Sequence, residues 1–348
     1  MKTDEITIVF QGAIKAYKQL GAPSFSEMVR NTRKVLPGST IILATWEGAE
    51  IPKCLGVDEV VFVEDPGALA PLKLIDNKLN NINRQIASTR AGMRQVKTRY
   101  AVKLRTDSFL EHASFIDFYE KQVRRDGRSN RIVTSAFFTL DIRVFERIPY
   151  HVSDWFQFGL TDVLRAYWNV PFMTEEAGRY YETHSHVSGS NVFERRFRAQ
   201  FAVEQYICMN YAGTIGYLVP EHISDTAAGV VADSQRFVAT EVLVLDPWQC
   251  GFLLPKYQWV HVSVWQRINN LMHIDWLALS AQSALDDTEP ADLQAALASR
   301  QRLKSFARWL FEISSPAHMM IFEQSIRGKI LRRAAMKVFH FLRALGRA

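Results

Sequence analysis

The sequence predicts an α/β fold with a mostly parallel central sheet flanked by helices. Two observations carry this. Short, near-continuous apolar runs recur through the first 150 residues, and helical stretches separate them. Strands covered by helices on both faces read this way. A third observation agrees: a charged cluster directly follows the fourth run, and open α/β sheets bind ligands at the carboxyl ends of their strands.

In chain order, Ile6 to Phe10 is the first strand, stopped by Gln11-Gly12. A helix follows around Ser24 to Val35. Thr40 to Trp46 is the second strand, after the turn pair Pro37-Gly38, and Glu59 to Val63 is the third, closed by Asp65-Pro66-Gly67. Leu79, Ile82, Ile86, Met93 and Val96 then share one helical face. Tyr100 to Leu104 is the fourth strand and runs into Arg105-Thr106-Asp107-Ser108.

The second half is less regular. Arg131 to Phe138 and His151 to Phe158 read as strands, the latter followed by a helix capped by Thr161. Ala177 to Ser190 reads as a polar loop and Asn191 to Tyr211 as a helix. Val242 to Leu245 and Trp259 to Val264 read as late strands. Gln282 to Arg302 is helical or linker-like, and Ser315-Pro316 is the N-cap and first position of a last, basic helix.

The 348 residues are 48% hydrophobic and 22% charged, an ordinary globular balance. The net charge of +6 is local, because Ile326 to Ala348 holds seven Lys/Arg and no acid. The remainder is close to neutral, which argues against a nucleic-acid partner. Three cysteines, Cys54, Cys208 and Cys250, form no CxxC pair, so reduced thiols in a cytoplasmic protein are expected. No signal-peptide core or spanning-length apolar run is present. GxGxxG, GxxxxGK[ST], GxSxG and HExxH are absent, so the ligand must be held by another device.

Four segments offer one. Asp107, at a strand end, can hold a divalent cation such as Mn²⁺ or Mg²⁺, with Lys103 and Arg105 suited to a diphosphate. The alternative is an Arg/Asp surface pair. Asn80, Asn81, Asn83, Arg84 and Gln85 at a helix start offer directed donors to an anion, though Asn also caps helices. Asp154, Trp155 and Gln157 resemble a sugar site, with Asp154 able to act as general base; alternatively the aromatics are core. Glu204 continues a stripe of Phe193, Phe197 and Phe201, and such a carboxylate must be ion-paired, neutralised or used. The histidines, His151 among them, are unclustered.

Taken in order, Val9 to Gly12, Asn80 to Gln85, Lys103 to Asp107, Ser153 to Gly159 and Glu204 to Ile207 resemble the WavE lipopolysaccharide synthesis family over residues 5 to 265. The resemblance implies a GT-A-like nucleotide-diphospho-sugar transferase fold. It implies a glycosyltransferase acting on a lipopolysaccharide core or related surface glycan, with a lipid-linked or glycan acceptor. Gln11 and Gly12 would receive the nucleotide base. Arg105-Thr106-Asp107 stands where that fold carries Asp-x-Asp, so one carboxylate of the metal site is replaced. Asp154 or Glu204 would face the acceptor, and Glu204-Gln205 is similar to an Asp-Gln motif of some retaining enzymes.

The expected layout is a transferase domain over 1–275 and a helical extension over 276–348. The basic amphipathic stretch 326–348 suits an anionic membrane surface, which places the protein peripherally on the inner face of the cytoplasmic membrane; a helix packed on a partner is the alternative. Two other functions compete: a catalytically silent nucleotide- or glycan-binding subunit, and a nucleotidyltransferase, whose Gly-rich phosphate loop is missing.

Overall fold

A computed structural model describes residues 1–14, 23–52, 55–74, 76–281 and 291–322. The basic stretch 326–348, Cys54 and the first part of Gln282 to Arg302 lie outside these. Among the described residues nine strands form in chain order: β1 (Ile6–Gln11), β2 (Thr40–Trp46), β3 (Glu59–Val63), β4 (Tyr100–Arg105), β5 (Phe109–Leu110), β6 (Ile132–Ser135), β7 (Phe156–Leu160), β8 (Val242–Leu245) and β9 (Phe252–Leu253). Seven build the central sheet in the order β3-β2-β1-β4-β7-β6-β8, and β5 pairs with β9 in a small ribbon. All neighbours in the large sheet are parallel except β7, which is antiparallel to β4 and β6. The predicted α/β class with a mostly parallel sheet is what forms.

The helices are α1 (Phe25–Val35), α2 (Ile82–Gln95), α3 (Phe115–Asp126), α4 (Thr161–Trp168), α5 (Glu175–Gly178), α6 (Val203–Thr214), α7 (Ala228–Glu241), α8 (Pro247–Cys250), α9 (Gln258–Val262), α10 (Val264–Asn269), α11 (His273–Ala281) and α12 (Ala291–Phe322). Side-chain alternation decides which face each one covers. Phe10 points to α1, where it meets Phe25 at a centroid distance of 5.3 Å. Phe156 and Phe158 point to Phe115 of α3, at 5.2 and 4.9 Å. Val9 points the other way, to α2. There Gly92 lets helix and sheet touch: a Cβ on it would lie 2.5 Å from Val9 Cγ1 and 3.0 Å from the Ala44 Cβ.

Several expected elements differ. Residues 191–202 are not helical beyond a 3-10 turn at Glu194–Arg196, and α6 starts only at Val203. The Phe193, Phe197, Phe201 and Glu204 stripe therefore does not exist. Those three phenylalanines feed three separate clusters. Residues 151–155 lead to β7 without being strand, and β6 stops at Ser135. Trp259 to Val264 is the junction of α9 and α10, not a strand. Leu79 precedes α2 and is 55% exposed. Thr161 does not cap α4; its hydroxyl donates to the Thr98 carbonyl at 2.8 Å. Ser315-Pro316 lies inside α12 rather than starting a helix.

The predicted division after residue 275 falls within α11, whose Trp276 is fully buried and donates to the Val238 and Val242 carbonyls. Helix α12 is tied down by the buried Lys304, which donates to Asp141 (2.7 Å) and Asp275 (2.6 Å). Burial opposes ionisation of Asp141, but Lys304 and Arg143 hold its carboxyl well below the usual range. Cys208 and Cys250 are free, buried thiols, and burial pushes Cys250 up to about 12. No described helix is long and apolar enough to cross a membrane.

Candidate active site

Because β7 runs against β4, the residues entering β7 meet those leaving β4 at one sheet edge. The register pairs Leu104 with Phe156 and Lys103 with Gln157. Arg105 and Asp107 leave the sheet beside Asp154 and Trp155. Beside them ends β1, paired Gln11 to Arg105. Its Gly12 has φ +112°, a conformation that disfavours side chains, and Thr106 closes over it by donating to the Ala13 carbonyl at 2.8 Å.

Arg105 and Asp107 form a bidentate pair, Nε to Oδ1 and Nη2 to Oδ2, both at 2.8 Å. The guanidinium also lies 5.8 Å from the centre of the Trp155 ring. Burial works against its charge, yet Asp107 and then Asp154 outweigh that and raise its pKa. Trp155 stacks on Tyr257 at 4.9 Å and packs on Phe138 at 4.4 Å, which makes an aromatic wall.

Below this edge lies a charged layer. Lys103 is fully buried. Its ammonium donates to the Asp154 carbonyl and sits 4.7 Å from the Trp168 ring centre. Burial lowers its pKa to about 8 against the opposing pull of Asp154. The Asp154 carboxylate, 2% exposed, accepts from Gln85 of α2. Glu204, in the first turn of α6, faces the same spot. Burial, with Asp154 adding to it, pushes its carboxyl up to about 8, so it keeps a proton at neutral pH. His151 Nε2 lies 3.6 Å from Glu204 Oε2, and its Nδ1 bonds the Phe138 carbonyl at 2.9 Å. Phe138 and Tyr150 both have positive φ, 61° and 56°. Backbone strain of about 1–3 kcal/mol each is thus held beside the site.

The sheet edge therefore brings together Gln11, Gly12, Lys103, Arg105, Asp107, Asp154, Trp155 and Glu204. Four expected residues are engaged elsewhere. Asn83 spends both amide atoms on the Met173 backbone, at 2.8 and 2.9 Å. Asn80 accepts from the Ile82 N–H at 3.1 Å at the start of α2. Arg84 turns to Asp65 in a bidentate pair of 2.7 Å bonds. Gln157 is fully buried and accepts from the Trp168 indole at 2.7 Å. Helix α2 reaches the site through other residues: Gln85 on Asp154, and Ser88 on the Gln11 amide at 3.1 Å. Gln85 was foreseen only as one of the donors at the helix start, and His151 and Tyr257 were not foreseen as site residues. The one sequence signal for His151 is its place three residues before Asp154.

A divalent ion does not fit this arrangement. Both Asp107 oxygens are bonded by Arg105. Among the described residues no three His, Cys, Asp or Glu side chains are placed to share a metal. A groove of about 400 Å³ lies elsewhere, between Arg147, the 188–195 loop and the end of α12.

No curated protein matches this chain. Among solved structures it is similar to CMP:2-keto-3-deoxy-manno-octonic acid synthetase complexed with CTP, at 13% identity over 49% of this chain and 80% of that one, with TM-score 0.29. It is similar to 2-C-methyl-D-erythritol 4-phosphate cytidylyltransferase from Thermus thermophilus, at 14% identity over 61% and 85%, with TM-score 0.32. It is also similar to the galactosyltransferase LgtC in complex with donor and acceptor sugar analogs, at 8% identity over 46% and 59%, with TM-score 0.28. The family model for WavE lipopolysaccharide synthesis matches residues 6–308, which takes in the whole central sheet and every residue of the edge just described. The chain belongs to the WavE lipopolysaccharide synthesis family.

Proposed function

We propose that this protein is a GT-A-like glycosyltransferase that moves a sugar from a nucleotide-diphosphate donor to a lipopolysaccharide core or related surface glycan. One observation carries the reading. A cationic residue on an aromatic wall, Arg105 on Trp155, shares a sheet edge with the buried carboxyl group of Asp154 and the half-buried one of Glu204. Such an edge can hold a diphosphate and a sugar ring side by side.

The chemistry follows from the charges. An acceptor hydroxyl oxygen attacks the anomeric carbon while the bond from that carbon to the diphosphate oxygen breaks. Asp154, oriented by Gln85, accepts the hydroxyl proton. The leaving diphosphate carries away the bonding electrons, and Arg105, with Lys103 beneath it, stabilises the added negative charge. Glu204 keeps its own proton and serves as a hydrogen-bond donor. Gln11 and Gly12 border the place for the base.

The test is a thermal-shift panel of UDP-, GDP-, CMP- and dTDP-sugars, each with and without Mn²⁺ or Mg²⁺. A ligand that binds the folded chain raises its melting temperature, by ~3 kcal/mol of stabilisation at a hundredfold excess over Kd. One responding donor, silenced in Arg105→Ala, supports the reading. No response to any donor at millimolar concentration counts against it. The bidentate lock of Arg105 on Asp107 also suits a catalytically silent binding subunit. Sugar transfer by the purified chain excludes that alternative.

A further inference from the structure

Helix α12 has two unlike faces. One is packed: Phe311 is buried with Val144, Phe145 and Val192, and Lys304 is locked to Asp141 and Asp275. The other is apolar and open. Leu303, Phe306, Trp309, Leu310 and Ile313 are 46%, 59%, 55%, 51% and 59% exposed. At about 100° per residue these five side chains fill one arc of roughly 120°, away from the packed side. An aromatic and aliphatic stripe of this kind exceeds the scattered single residues of an ordinary surface. Helix α10 packs on the opposite side, where Trp265 stacks on Phe145 at 3.9 Å and meets Phe311.

Charge indicates what covers this face. On the helix, Arg302 is exposed among these side chains, while Arg300 and Lys304 are bound to Asp275 and Arg308 to Glu312. The sequence that continues beyond the helix is basic, with seven Lys/Arg and no acid from Ile326 to Ala348, while the rest of the chain is close to neutral. An anionic lipid bilayer matches both features at once. Its acyl boundary takes aromatic and aliphatic side chains, with Trp favoured at the headgroup level, and its phosphates take the cations.

We propose that the Leu303–Ile313 face of α12 docks this protein on an anionic bilayer surface. This is independent of the sugar-transfer reading and concerns a surface remote from Asp154 in the sequence.

The experiment is vesicle flotation of the full chain, with phosphatidylcholine vesicles compared to vesicles holding roughly 30% phosphatidylglycerol. The wild-type chain is expected to bind the anionic vesicles about tenfold more tightly, and added salt weakens that binding. The double variant Phe306→Ser, Trp309→Ser is expected to bind them about tenfold less tightly. Both side chains are exposed, so its melting temperature should stay unchanged. Equal binding by variant and wild type overturns the proposal, because the basic segment then acts alone. No binding to anionic vesicles also overturns it. So does a wild-type dimer that the double variant dissociates in sedimentation, since a second copy then covers the face.

Discussion

Glu204 holds its proton in the folded chain, and Glu204→Gln turns that into a measurable pH effect. Burial, then Asp154, raises the carboxyl from an ordinary 4.5 to about 8. Between those values the folded chain binds more protons than the unfolded chain, so stability falls as pH rises. The contribution is fully present below 4.5 and lost as pH passes through about 8. At about 1.4 kcal/mol per pH unit, the loss approaches ~3 kcal/mol at pH 7. The side chain keeps 16% of its surface exposed, and solvent screening lowers the figure to ~2 kcal/mol. Glutamine cannot ionise and escapes this loss. The groups that face it, His151, Asp154, Lys73 and Arg105, are the same in both chains. Urea denaturation of both chains at pH 5, 6, 7 and 8 reads it. The stability of Glu204→Gln minus that of the wild type should rise steadily across this range, by ~2 kcal/mol at pH 7. A flat or falling difference would show Glu204 ionised in the fold and refute its role as a proton-holding donor.

Three further outcomes are expected. Asp154→Asn should slow sugar transfer by about 100-fold or more while leaving the donor-induced thermal shift in place; equal rates would remove Asp154 as the base. Gly92→Ala should lower stability by ~1–3 kcal/mol, because the new Cβ meets Val9 and Ala44. An unchanged melting temperature would mean that α2 does not press on the sheet there. Lys304→Met strips the shared cation from Asp141 and Asp275 and should cost ~3–5 kcal/mol in urea denaturation. A cost under ~1 kcal/mol would show that Arg143 and Arg300 suffice without it.

The sheet was legible where a strand is buried on both faces. β1, β2, β4 and β8 match their apolar runs to within a residue, since such a run has no other stable place. Reading failed where a pattern had several causes. Phe193, Phe197 and Phe201 repeat every fourth residue, yet each fills a different cluster, and the backbone between them is irregular. Trp259 to Val264 has the apolar composition of a strand, but it forms two short helices at the surface.

The site divides along the same line. Arg105 and Asp107 could be singled out by position alone, because the end of an apolar run marks the ligand edge of an α/β sheet. Asn83 and Arg84 carry the same chemistry in sequence, yet their partners Met173 and Asp65 take them up. Gln85 and His151 carry no spacing signal, and only the packing of α2 on the sheet and the path into β7 bring them to Asp154 and Glu204. By itself, then, the sequence determined the elements whose hydrophobic pattern has one solution, and the family to which the chain belongs. The tertiary structure alone decided which polar side chains meet, because a hydrogen-bonding group finds its partner through strand register and helix packing, over separations that no local pattern records.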